Sequence, residues 1–209
     1  MKWLEKFGES LKRHSRASVH KEISIGIDAV PKGSTRAIRK KQSDWIVAAL
    51  SKLDAMVDEG TRNRILADTC PHSYPKKRIR EMKARLEELR SLDKLLELMR
   101  SDTSWGGGSF YDYPVREGNI IHVTKVPYKP SAYKAAVTDE EKRMTYCHCV
   151  IAKRSMKDMS PTFCCCSGGW VKQLWEGVLG MSLEVTLTES LLKGDDRCTH
   201  SFQIPSDFL

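Results

Sequence analysis

Near Asp102–Gly108 the apolar residues of this chain change their period, and that change limits the folds open to it. Before it the spacing is helical; after it short alternating runs and turn residues dominate. From Ser43 as an N-cap, the positions Trp45, Ile46, Ala49, Leu50, Leu53, Met56 and Val57 predict an amphipathic helix ending near Gly60. A short helical piece follows through Ile65 and Leu66, and Pro71 and Pro75 break it. A long helix is predicted over 76–100, with the stripe Met82, Leu86, Leu89, Leu92, Leu96 and Met99 as core or partner seam. Residues 1–40 lack sustained periodicity and are rich in Lys and Arg, which reads as a loosely ordered arm with one N-terminal helix at most.

Beyond the switch, Gly106–Gly108 have no preceding strand, following helix or lysine, so they read as a hinge rather than a phosphate cradle. Phe110–Val115 and Ile120–Val126 flank Glu117-Gly118-Asn119 as a hairpin. Met144–Ala152 reads as a strand that puts Cys147 and Cys149 on one face and His148 on the other. Trp170, Val171, Leu174, Trp175, Val178 and Leu179 predict a helix closed by Gly180. Leu183, Val185 and Leu187 mark a half-buried strand, and a turn through Lys193–Asp196 leads to a last strand whose Cys198, His200, Phe202 and Ile204 share a face. The fold class is α+β: an N-terminal helical region, then an antiparallel sheet with a packed helix. Two domains are expected, a basic helical one over 1–103 and a cysteine-rich, ligand-binding-like α+β one over 104–209.

The net charge of +8 lies wholly in the first of these, where 23 Lys/Arg face 15 Asp/Glu. No groove-reading motif accompanies it, so a solvated helical surface is the expectation and a nucleic-acid partner is not. Met1–Ser10 carries Lys2, Glu5, Lys6 and Glu9, and no apolar run approaches the roughly 20 residues of a spanning helix. A cytoplasmic protein without a membrane partner is expected.

In a reducing compartment seven cysteines, three of them consecutive, do not form a simple disulfide framework. Six lie in the second half, placed for metal ligation or thiolate chemistry. Ser167 reads as the N-cap of the Trp170 helix, which sets Cys166 just outside the positive end of its dipole, where a thiol pKa is lowered. Cys166 and Cys164 are therefore the candidate nucleophiles. Cys147, Cys149, Cys164, Cys166, Cys198 and His200 are the candidate ligands for zinc or an iron–sulfur centre. The alternative for each thiol is a small buried apolar residue, and for His200 a histidine satisfied by its neighbours.

Phe163–Pro205, with its cysteine-rich lead into a Gly-Gly helix, Glu189-Ser190, Gly194-Asp195-Asp196-Arg197-Cys198 and Phe202-x-Ile204, resembles the end of 4-vinyl reductase-type domains. It is also similar to the related 2-amino-thiazoline-4-carboxylate hydrolase-like bacterial proteins. The resemblance implies an antiparallel sheet packed with helices, frequently dimeric, around a pocket for a small molecule. In some sensor domains of this type three cysteines and a glutamate hold zinc beside that pocket. Cys164 and Cys198 fall on the first and last cysteine positions, whereas Ser190 stands at the middle one and Leu187 at the glutamate. Two functions follow: a sensor-like module binding a small ligand or metal, with the helical half serving homodimerisation or relay, or a cysteine hydrolase of a small amide or thiazoline. The hydrolase would draw its base from His200 or His148 and its acid from Glu189 or Asp196. A protein-scaffold role, as in vesicle-tethering relatives of the fold, ranks last.

Overall fold

The computed structural model describes residues 2–102, 104, 110–155 and 157–206, with main chain alone at 154. Gly106–Gly108, the expected hinge, lie outside the described residues. The first half folds into α1 (Lys2–His14), α2 (Ala17–Ile23), a 3-10 turn (Ile27–Ala29), α3 (Arg36–Met56), α4 (Glu59–Asp68), α5 (Lys76–Leu89) and α6 (Leu92–Ser101).

The first half corrects the sequence reading at three places. The expected loose arm is core: Trp3, Leu4, Phe7 and Leu11 recur at helical spacing and are buried, with Trp3 and Phe7 stacked at 4.9 Å. Next, α3 starts earlier than Ser43, because Thr35 accepts a hydrogen bond from the Ile38 N–H and caps it. Ser43 is instead buried within the helix, its Oγ 2.6 Å from that of Ser155. The long helix is two, since Arg90 takes a left-handed φ of 46° and Ser91 then caps α6 by accepting from the Lys94 N–H.

In the second half β1 (Val115–Glu117), β2 (Ile120–Thr124), β3 (Val185–Glu189) and β4 (Thr199–Gln203) form one antiparallel sheet in the order β1-β2-β4-β3. Gly118, with φ of 61°, makes the β1–β2 turn. Between β2 and β3 the chain is helical: α7 (Pro130–Ala135), α8 (Asp139–Tyr146), α9 (Val150–Arg154), a 3-10 helix (Pro161–Ser167) and α10 (Gly168–Leu179), which Gly180 closes at φ of 71°.

Met144–Ala152 is thus not a strand. Thr138 and Glu141 make a capping box that starts a helix running through Tyr146, and Cys149 stands at the N-cap of the next. A few alternating residues could not outweigh a complete cap.

The expected boundary near 103 does not separate two cores. Met82, Leu86, Leu95 and Met99 of α5 and α6 pack with Ile121, Trp175 and Phe202. The second cluster joins Phe7, Leu11, Ile46, Leu50 and Leu66 to Ala152, Phe163 and Leu187.

Asp68, at the end of α4, ties this assembly together through His14 at 2.9 Å and Lys172 at 3.5 Å. Burial opposes its ionisation, but the His14 hydrogen bond and the Lys172 and Arg13 charges win, holding its pKa below the ordinary 3.8. A depressed folded-state pKa gives stability that is present above the unfolded value and lost as pH falls through the folded one. Asp68→Asn should therefore cost about 1 kcal/mol at pH 6. The difference from the parent, read by urea unfolding, should vanish on acidification below the carboxylate range.

Candidate functional site

The three consecutive cysteines lie in the 3-10 helix Pro161–Ser167, where successive side chains point about 120° apart. They consequently serve three different surroundings. Cys165 turns toward α4 and donates its thiol to Asn63 Oδ1 at 3.2 Å. Cys164 comes within electrostatic reach of Cys198 and Cys147, and the Ser190 hydroxyl bonds its sulfur. Cys166 comes within reach of Cys149 and Cys70. The fold brings Cys147, Cys149, Cys164, Cys166 and Cys198 into one region and adds Cys70. Nothing local to the Cys70-Pro71 break announces that placement, which comes from α4 packing on α10.

At the centre stands Lys125, just beyond β2. Its backbone N–H donates to the Cys198 carbonyl at 2.9 Å, and its own carbonyl accepts from the Tyr146 hydroxyl. Tyr146 Oη in turn accepts from the Cys198 N–H at 3.0 Å, which fixes both chains. The ammonium lies 6.0 Å from the centroid of the Tyr111 ring, and its field reaches Cys70, Cys147, Cys164, Cys166 and Cys198. The residue is only partly exposed, yet among the described residues no carboxylate pairs with it. Burial acts to lower its pKa, but Tyr111, Cys164, Cys198 and Cys147, each able to become an anion, outweigh that and raise it.

The thiols around it stay protonated. Burial pushes Cys164 and Cys166 well up, Cys165 to about 12 and Cys147 to about 11, and Lys125 only partly offsets this for Cys147, Cys164 and Cys166. The lowered pKa expected at Cys166 is not found, because Ser167 is not a cap. It is already helical, with φ of −73° and ψ of −20°, so the 3-10 helix runs directly into α10. The dipole end lies elsewhere, and burial decides. In native protein at pH 7.5, iodoacetamide should label Cys165 at least about 100-fold more slowly than in urea, and Cys164 and Cys166 should slow in the same direction. Rapid labelling of Cys166, read by peptide mass mapping, would contradict this arrangement.

His200 is fully buried on β4. Ser167 Oγ donates to the Cys164 carbonyl at 2.7 Å, so it can only accept from His200 Nε2 at 3.0 Å. The proton is thereby placed on Nε2, and Nδ1 is left as a buried lone pair without a partner. Burial and Lys125 lower the pKa of His200 to about 3, so the ring is neutral. His148 stands apart from the thiols: its Nε2 donates to the Val126 carbonyl at 2.8 Å between the rings of Phe110 and Tyr128.

Among the described residues no three His, Cys, Asp or Glu side chains are close enough together to hold a metal ion. The six expected ligands are neighbours, but the 3-10 splay divides their thiols, and His200 spends its Nε2 on Ser167. As arranged, the donors do not fit zinc or an iron–sulfur centre. Leu187, at the glutamate position of the resemblance, is a buried core residue, and Ser190 is buried beside Asp195.

A groove of about 520 Å³ between α5 and α6 has its charges matched internally, Arg78 by Glu81 and Asp102 and Arg85 by Glu88, unlike the Lys125 region. Among the described residues no helix is long and apolar enough to cross a membrane. In comparisons with known proteins, no family model, curated protein or solved structure matches the chain.

Proposed function

We propose that this chain is a small-molecule-binding, sensor-like protein whose ligand seats where Lys125 meets Cys147, Cys164, Cys198 and Tyr111. The observation that carries the reading is the Lys125 side chain, half-buried beside Tyr111 and the thiols and lacking a carboxylate partner among the described residues. A half-buried amine without a carboxylate partner is a place where a ligand can supply a counter-charge. The resemblance to 4-vinyl reductase-type domains, which hold a small molecule beside their cysteines, points the same way.

The hydrolase reading is less well supported. A cysteine hydrolase needs a thiol hydrogen-bonded to a base. Here Cys164 and Cys166 are held protonated, and His200, with its pKa near 3, bonds Ser167. Native mass spectrometry of the chain taken directly from cell extract tests the reading. A bound mass lost in Lys125→Met is expected. A bare mass in both proteins would overturn it, and a mass equal to zinc or iron retained in Lys125→Met would transfer the site to a metal.

A further inference from the structure

We infer that the turn after α2 and the first half of α3 dock this protein on an anionic lipid bilayer, Ile25 entering the interface and Lys21, Lys32, Arg36 and Lys41 meeting the headgroups. This docking does not depend on the Lys125 site.

The charge is fixed in place by the fold. Residues 1–41 hold 11 Lys/Arg against 4 Asp/Glu, which is +7 of the net +8. On a loose arm such a charge would be a solvated tail. Here Trp45 Nε1 donates to the Ile25 carbonyl at 2.9 Å and Lys52 Nζ to the Glu22 carbonyl at 3.1 Å. Gln42 Nε2 donates to the Pro31 and Gly33 carbonyls at 2.9 and 3.3 Å. These hydrogen bonds lay residues 22–33 along the flank of α3 and make the basic segment a surface of set shape.

Most of its cations are left without a counter-charge inside the chain. Glu22 is taken by Lys52, and Lys40 by Asp44. Among the described residues Lys21, Lys32, Arg36, Arg39 and Lys41 form no ion pair, and all but Arg39 are exposed. The first turn of α3 carries no acidic residue, so Arg36 and Arg39 face the positive end of its dipole. That arrangement opposes the helix, and a layer of anions outside the chain relieves it.

The apolar part selects a bilayer over other polyanions. Ile25 is 59% exposed, at a turn that Gly26 makes with φ of 77° and that Trp45 pins to α3. Lys41 lies one helical turn before Trp45 on the same face of α3, and Lys21 stands just ahead of the turn. An aliphatic side chain bordered by ammonium groups fits the boundary between phosphates and acyl chains, where each part finds its own solvent. A nucleic-acid backbone would use the cations and leave Ile25 in water.

Cosedimentation of the full chain with vesicles tests this, using phosphatidylcholine alone and an equimolar mixture of phosphatidylcholine and phosphatidylglycerol. At about 0.1 M salt, where exposed charges are only partly screened, the chain should bind the mixed vesicles and leave the neutral ones in suspension. Arg36→Glu and Lys41→Glu should each weaken binding at least about fivefold, the factor that one cation near the surface supplies. Ile25→Ser should weaken it by about tenfold. Lys83→Glu, an equal change of net charge at an exposed position of α5, should leave it unchanged. Circular dichroism of each variant guards against loss of fold. An equal loss in Lys83→Glu would overturn the inference, since net charge rather than this surface would then be acting. No binding to the mixed vesicles, or an Ile25→Ser chain that binds them as the parent does, would also sink it. Binding to a short DNA duplex by a chain that ignores both vesicles would reassign the surface to nucleic acid.

Discussion

Replacing Gly169 by alanine is expected to destabilise the chain by about 3 kcal/mol or more, beyond the usual range for an added methyl group. At this position α10 meets α4 backbone to backbone. A Cβ on Gly169 would run into the carbonyl oxygen of Ala67 and come within 2.7 Å of the Cys70 Cβ. Neither neighbour is the end of a flexible side chain, so no rotamer change relieves the clash, and α10 must move off α4. Because the Cys164–Cys166 segment runs straight into α10, that movement also shifts the thiols. Gly169→Ala should therefore lower the urea midpoint sharply and accelerate Cys164 alkylation together. Gly180→Ala is the control: nothing lies within 4 Å of its Cβ, and the cost is that of the left-handed φ of 71°, about 1–2 kcal/mol. A Gly169→Ala protein no weaker than Gly180→Ala would show that the helices do not meet as closely as described.

The sequence shows Gly168-Gly169 only as the Gly-Gly entry to a helix; that α4 comes against it is a tertiary fact. The same division holds across the chain. The α+β class, the Gly118 hairpin, α10 with its Gly180 stop, and β3 and β4 were legible because their signals are local: a turn glycine, a 3.6-residue stripe, a two-residue alternation. The break at Arg90 was not, because a left-handed arginine leaves no compositional mark and the stripe from Met82 to Met99 continues in phase across it. The helix over Asp139–Tyr146 was overridden by an alternation of thiols and rings, although Thr138-x-x-Glu141 was there to be read as a capping box.

For the site, the sequence identified the cysteines and could not orient them. Three consecutive thiols suggest one cluster; a 3-10 helix sends them 120° apart, so Cys165 leaves for Asn63 while Cys164 and Cys166 reach different partners. Lys125 escaped notice for a simple reason. One lysine at the end of a strand, among 35 Lys and Arg, carries no local sign that thiols and aromatic rings will enclose it. Charge alone could not single it out, whereas charge without a partner does.

Phe7→Ala should be comparably damaging, at about 3–5 kcal/mol, the cost of emptying a fully buried aromatic site. If residues 1–40 were the loose basic arm that their composition suggests, the same change would cost nothing measurable. Phe7 stacks on Trp3 and meets Trp45 edge-on at 6.2 Å, and Trp3 reaches Phe163 at 5.6 Å, so α1 is joined to the 3-10 helix of the thiols by a chain of rings. That cluster also borders the partly buried Cys147, Cys149, Cys164 and Cys166. A cavity at Phe7 should thus be felt at the site, as faster native-state alkylation of Cys166 at a urea concentration well below the unfolding midpoint. Glu9→Ala, two residues on and exposed on the opposite face, should change stability by no more than about 0.5 kcal/mol. A Phe7→Ala midpoint matching that of Glu9→Ala would return α1 to the status of an arm and would detach the basic N-terminal segment from the architecture that holds Lys125 and its thiols in place.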